Sequence, residues 1–285
     1  MSANPTVALL GTGTMGAGMA RNIAAAGLPL RVWNRTPQRA QVLADTGATI
    51  CEDLADAVAE ADIVITILFD TDSVEQTIGQ LKGVVSPGTV WLQQSTVGVQ
   101  GAERLGKLAE ELGLVYVDAP VLGTRKPADD GALVVLASGP DEVRDTVTPV
   151  FDAIGQRTLW VGPAGNASRL KLVANGWVLT VVEGIAESLT LAKALGLDPQ
   201  LFLDAVKGGA MDAPYVQLKG SAMLSGDFTK AFGLDGAAKD ADLIVAAARE
   251  AGADVAVIEA ARDHVVRALR AGHGNQDVSA TYLEH

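Results

Sequence analysis

Positive charge is scarce in this 285-residue sequence: 22 Lys and Arg stand against 34 Asp and Glu, a formal net charge of −12. A surface of that sign repels phosphate backbones and anionic lipid, so neither nucleic acid nor a membrane is an expected partner. An anionic small molecule held in a local Arg or Lys pocket is still allowed. Cysteine is almost missing. Cys51 alone cannot close an internal disulfide or build a thiolate metal cluster, which fits a reducing cytoplasm. Histidine is nearly as rare. His264, His273 and His285 all lie near the C-terminus, away from every motif, so no Ser-His-Asp hydrolase and no metal site are expected. No signal peptide precedes the first apolar run, and there is no internal repeat or low-complexity tract. The final Leu283-Glu284-His285 looks like the start of a purification tag and is set aside from fold reasoning.

What the sequence has is a glycine motif. Strand-like residues Thr6 to Leu10 run into Gly11-Thr12-Gly13-Thr14-Met15-Gly16, and a helical pattern follows in which Met15, Met19 and Ile23 recur every four residues before Gly27. In a dinucleotide-binding turn, Gly11 allows the tight bend, Gly13 lets the backbone approach a pyrophosphate, and Gly16 lets the helix pack closely on the strand. The N–H groups opening the helix then face the phosphates. A G-x-G-x-x-G spacing alone is weak, but here strand and helix flank it as the motif requires.

The next absence concerns the cofactor. A site for NAD carries an acid near the end of the second strand to accept the ribose hydroxyls. No acid occurs from Leu28 through Ala44; Asn34-Arg35-Thr36 stands there, with Arg39 nearby. An arginine and two small polar groups suit a 2′-phosphate, which an Asp would repel, so NADP is expected. The competing reading is a solvated loop with Thr36-Pro37 as a helix cap.

Downstream the pattern repeats. Helices over Pro37 to Asp45, Asp53 to Glu60, Asp70 to Thr77 and Val97 to Leu112 alternate with strands at Ala48 to Ile50, Ile63 to Leu68, Val90 to Leu92 and Leu114 to Val117. This predicts a doubly wound parallel sheet of Rossmann type, with ligands beyond the carboxyl ends of its strands. Leu68-Phe69 and Ser95-Thr96, in the loops there, are candidates to line the nicotinamide. A long loop is expected over Asp118 to Asp130, then strand Leu133 to Ala137, a helix over Pro140 to Ala153 and strand Thr158 to Val161.

After Gly162-Pro163 only helical periodicity remains. The expected domains are 1–163, binding the dinucleotide, and 164–285, all-helical. The second opens with a helix from about Asn166 to Ala194, without charge between Lys171 and Glu183. The helix reads as buried, and its uncharged stretch as too short and polar-interrupted to span a membrane. Lys171 and Asn175 share one face of it. Lys171 is either a functional ammonium or a lysine snorkelling to the surface. Further helices are expected after Asp198-Pro199, from Leu234 to Ala251 and from Asp254 to Ala271, with a break over Lys207 to Pro214. Lys239-Asp240 by itself reads as a solvated pair.

With these residues assembled, the chain resembles the β-hydroxyacid dehydrogenase family, which includes 3-hydroxyisobutyrate dehydrogenases, and within it the glyoxylate and succinic semialdehyde reductases. The resemblance covers essentially the whole chain. It rests on Gly11 to Gly16, Asn34-Arg35-Thr36, Ser95-Thr96, Asp118-Ala119-Pro120-Val121, Lys126 to Gly131, Gly162 to Asn175 and Lys239-Asp240, in that order. It implies a catalytic Lys171, a substrate-binding Asn175, Ser95-Thr96 near the nicotinamide and Lys239 reaching cofactor or substrate. It also implies NADPH-dependent reduction of a small aldehyde or keto acid, or oxidation of the hydroxy acid, and a homodimer formed through the helical domain.

One departure stands out. The family commonly has Ser-Gly-Gly after Ala-Pro-Val, holding the substrate carboxylate, whereas this chain has Leu122-Gly123-Thr124. Leu122 has no side-chain donor, so the anchor is weakened or moved to Gly123, Thr124 or Lys239. A less polar substrate, such as an apolar ketone or a cyclic imine, is the alternative. A dinucleotide-binding regulator without turnover is the more distant one.

Overall fold

The computed structural model describes residues 4–285 and divides into two units, Met1–Lys171 and Leu172–His285. In the first, short apolar runs become strands covered on both faces. The elements are β1 (Val7–Leu10), α1 (Gly16–Ala25), β2 (Leu30–Trp33), β3 (Thr49–Ile50), α2 (Leu54–Val58), β4 (Ile63–Thr66), α3 (Thr71–Gly79), β5 (Val90–Gln93), α4 (Gly98–Leu112) and β6 (Val115–Asp118). The strands form one parallel sheet in the order β3-β2-β1-β4-β5-β6. Side chains alternate across it as strand geometry dictates. Val7, Leu9, Ile63 and Ile65 pack with Met19 and Ile23 of α1. Ala8, Leu10, Val64 and Trp91 pack on the other face with Leu105 of α4. This is the doubly wound sheet that the repeat of strand and helix requires.

After β6 the chain departs from the expected pattern. The expected loop over Asp118 to Asp130 folds into β7 (Val121–Leu122) and α5 (Arg125–Asp129). Then come β8 (Leu133–Ala137), α6 (Arg144–Ile154) and β9 (Gly155–Trp160). These three strands form a second sheet, β7-β8-β9, with β7 antiparallel to β8 and β8 parallel to β9. A two-residue strand carries too little pattern to be read, and its pairing sets the sheet. The segment expected as a helix over Pro37 to Asp45 is two 3-10 turns, Pro37–Arg39 and Gln41–Leu43, and Thr36 makes no side-chain cap bond.

The second half holds α7 (Asn166–Ala194), α8 (Gln200–Val206), α9 (Pro214–Ser225), α10 (Leu234–Ala251) and α11 (Ala256–Arg270). By length and composition α7 is long and apolar enough to cross a membrane, contrary to the sequence reading, and half of its most apolar window is buried within the protein. Nor is it buried all round: Val173, Trp177 and Leu191 are exposed. α9 was not expected; its apolar residues are spread around the helix and leave little periodicity to detect. The terminal residues belong to the fold. Val278–Glu284 form a 3-10 helix, and the His285 side chain is nearly inaccessible beside Glu183.

Candidate active site

The glycine turn is held from two sides. Gly11 adopts φ +112°, and a Cβ there would run into the Ile67 carbonyl. At Gly16 a Cβ would run into the Gly11 carbonyl, so α1 approaches the end of β1 only because this residue has no side chain. From β2, Asn34 Oδ1 accepts the Thr12 N–H at 3.1 Å, and Asn34 Nδ2 donates to the Thr36 carbonyl at 2.9 Å. Asn34 therefore shapes the turn, while the next residues, Arg35 and Thr36, are exposed.

This turn fits a dinucleotide pyrophosphate. At Gly13 a Cβ would meet nothing within 4 Å, so the backbone there borders open space. The Thr12 hydroxyl beside it is buried without a partner. At the start of α1, where Thr14 is exposed and Met15 half-buried, the Ala17 and Met19 N–H groups donate to the Gly13 and Met15 carbonyls, and the helix N-terminus turns its positive dipole end toward a phosphate.

Ser95 and Thr96 follow β5. Ser95 is buried, and its hydroxyl accepts the Leu68 N–H at 2.8 Å while its own N–H donates to Gln93 Oε1 at 2.7 Å. Its side chain thus ties the loop after β4 to that after β5, holding Leu68 in place with exposed Phe69 next to it. Thr96 is half-buried.

Lys171 does not snorkel. It is buried, and its Nζ donates to the Val121 carbonyl at 2.8 Å. That carbonyl precedes Leu122, Gly123 and Thr124, so the ammonium lies against the segment in which the substrate contacts were sought. Leu122 is half-buried in β7, paired with Val134, and Gly123 adopts φ +133°.

A buried carboxylate to which the sequence assigned no role holds the first turn of the helix that carries this lysine. Asp118, the last of β6, accepts the Ser168 N–H at 2.8 Å and the Ser168 hydroxyl at 2.7 Å. Ser138 Oγ accepts the Ala167 N–H at 3.0 Å. Together they satisfy first-turn donors of α7, as a cap does, but from distant strands. Lys171 follows Ser168 by one turn. Burial pushes the Asp118 carboxyl above its ordinary range, against the opposing pull of the Ser168 and Ser138 bonds. Its place at a strand end, just before Ala119-Pro120, was the available signal.

In the second unit, Asn175 and Asp240 are both buried, and Asn175 Nδ2 donates to Asp240 Oδ2 at 2.7 Å. Lys239 Nζ sits 2.6 Å from Asp240 Oδ1. The pair read as solvated is thus a buried carboxylate linking an amide to an ammonium. Asp240 was missed because nothing in the sequence joins residue 240 to residue 175.

Comparison with known proteins gives two matching family models. One, described as the NAD binding domain of 6-phosphogluconate dehydrogenase, matches residues 6–162. The other, described as NAD-binding of NADP-dependent 3-hydroxyisobutyrate dehydrogenase, matches residues 165–283. Glyoxylate/succinic semialdehyde reductase 1 of Arabidopsis thaliana is 31% identical over 277 residues, covering 96% of each chain. Among solved structures, 3-hydroxyisobutyrate dehydrogenase of Mycobacterium tuberculosis with L-serine superposes with a TM-score of 0.88 at 28% identity, over 99% of both chains. A reductive aminase of Aspergillus terreus with NADPH and ethyl levulinate gives 0.62 at 25% identity, again over 99% of both.

Proposed function

Because the chain belongs to the β-hydroxyacid dehydrogenase family, as its two family models and its reductase relative establish, we propose that it reduces a small aldehyde or keto acid with NADPH. The nicotinamide dinucleotide supplies the hydride. The observation that carries the reading is the buried Lys171 ammonium, 2.8 Å from the Val121 carbonyl and one helical turn from Asn175. Lys171 stabilises the negative charge growing on the carbonyl oxygen and gives that oxygen its proton. Asn175, oriented by Asp240, positions the substrate. With no donor on Leu122, the N–H groups of Gly123 and Thr124 are the candidates for a substrate carboxylate. Ser95 fixes the loop carrying Leu68 and Phe69, and Lys239 contributes charge on the side of Asp240.

The test is a panel of glyoxylate, succinic semialdehyde, an uncharged aldehyde and a cyclic imine, followed by NADPH absorbance. Turnover of the carboxylate-bearing aldehydes supports the proposal. Reduction of the imine alone would favour the second reading, an imine or apolar ketone reductase, which Leu122 and the likeness to the reductive aminase motivate. NADPH binding without turnover on any member would leave a dinucleotide-binding regulator.

The preference for NADP is supported by the missing acid after β2 and by exposed Arg35. Arg35→Ala is expected to remove a charge-assisted pair of about 1.5–3 kcal/mol, raising the apparent KM for NADPH roughly 10- to 150-fold and sparing NADH. A native preference for NADH, or an equal effect on both cofactors, would sink this assignment.

We further propose a cytoplasmic homodimer. The single free Cys51 supports the compartment. The exposed apolar side chains Val173, Trp177, Leu191, Leu195, Leu201 and Leu218 support self-association of the helical unit. Sedimentation velocity at micromolar concentration is expected to show a dimer, and a stable monomer would refute it.

A further inference from the structure

Away from the residues assigned above, three side chains of the second unit meet in one place: Glu183 from α7, His264 from α11 and the terminal His285. His285 Nε2 lies 2.8 Å from Glu183 Oε2 and 3.0 Å from His264 Nδ1, and His264 Nδ1 lies 3.9 Å from Glu183 Oε2. Glu183 is more than nine-tenths buried, and its second oxygen, Oε1, has no hydrogen-bond partner. We propose that these three side chains form a binding site for one divalent transition-metal ion, of which zinc is the representative.

Counting protons shows why hydrogen bonds alone serve this cluster poorly. A neutral imidazole has one N–H and one lone pair. If the proton sits on His285 Nε2, it faces both Glu183 Oε2 and the lone pair of His264 Nδ1, one proton between two acceptors. If His264 Nδ1 carries a proton as well, two N–H groups point at each other. In either case Glu183 Oε1 stays unsatisfied in a buried place, which costs free energy. One dication in place of the shared proton draws on all three lone pairs and leaves each imidazole its other nitrogen for a proton.

The dimensions agree. In a triangle with sides 2.8, 3.0 and 3.9 Å the point equidistant from the corners lies about 2.0 Å from each, the usual zinc–imidazole and zinc–carboxylate bond length. The two imidazoles stack with centroids 4.3 Å apart and planes 26° from parallel, so binding requires them to tilt until both lone pairs converge. Two imidazoles and a carboxylate select zinc, nickel or copper over magnesium or calcium, which prefer oxygen ligands. The ion would pin the end of the chain to α7 and α11. It would be a structural clamp with no part in hydride transfer.

The experiment uses full-length protein without an affinity tag, stripped with a chelator and titrated with zinc against a chromophoric competitor. The expected result is one zinc per chain with a Kd below micromolar, a higher Tm on zinc addition, and no comparable effect of magnesium. His285→Ala and His264→Ala are expected to weaken zinc at least about 100-fold, beyond the ~10–100-fold that a lost outer-shell partner costs. Circular dichroism checks that neither substitution disturbs the fold. Absence of stoichiometric zinc binding by the native protein overturns the site. So does zinc binding that survives His285→Ala, and in both cases the cluster is a hydrogen-bonded clamp only.

Discussion

Replacing Lys171 by alanine is expected to lower kcat by about 10²–10⁴-fold while NADPH affinity barely changes, the range typical of losing a general acid. The split between rate and binding follows from where the side chain lies. Its ammonium donates to the Val121 carbonyl, beside Leu122 to Thr124, the segment proposed to hold the substrate. The alanine variant removes the proposed proton source and also leaves the Val121 carbonyl without that donor. Lys171→Met therefore belongs beside it, since it fills much of the space without the charge. Single-turnover NADPH oxidation, with the best substrate of the panel, measures the step itself. A rate within a few-fold of native in both variants would take Lys171 out of the mechanism.

The second large effect is on stability and concerns Lys219 and Asp277. Both side chains are buried, and Lys219 Nζ lies 2.6 Å from Asp277 Oδ1. Asp277 also accepts the N–H groups of Ala231 and Phe232, and both the N–H and hydroxyl of Ser279. The carboxylate thus ties α9, the bend before α10 and the terminal 3-10 helix into one piece. Asp277→Asn leaves a buried ammonium without its counter-charge, an error of the kind that costs about 3–5 kcal/mol. Burial works against the charged form of Asp277, but the Lys219 ammonium and the backbone donors outweigh it, and the net shift is downward.

A depressed carboxyl adds stability that is present above its unfolded value of about 3.9 and is lost as pH falls through the lower folded value. The gap between native and Asp277→Asn proteins is therefore expected to be full at pH 7 and to narrow only in the acid range below that unfolded value. Urea unfolding at neutral and at acid pH measures it. A cost under about 1 kcal/mol at neutral pH, or a gap that ignores acid, would contradict the assignment.

How much of this could be read beforehand depended on whether the signal was local. β8, α7 and α10 have the bounds that their apolar patterns set. Each is long or strongly patterned. β7 and α5 were hidden inside an apparent loop because two and five residues carry almost no period. Their existence depends on pairing with β8 and on packing against α1, which only the folded chain supplies. The glycine turn was legible for the same reason as α7, since its spacing lies within one stretch. The bonds from Asp118 to Ser168 and from Asn175 to Asp240 join residues 50 and 65 positions apart. Pairing across such distances leaves no trace in a single sequence. The bond from the Leu68 N–H to Ser95 Oγ, 27 positions apart, was equally closed to reading.

The capping of α7 bears on the order in which the protein can assemble. Starting a helix is its unfavourable step, since several residues must be fixed before the first hydrogen bond repays them. Asp118 and Ser138 already offer acceptors to the N–H groups of Ser168 and Ala167. Every group in that template precedes residue 172, and a chain is synthesised from its N-terminus. The first sheet and its neighbour can therefore form and seed the opening turn of the 29-residue helix before the rest of the second unit has been synthesised.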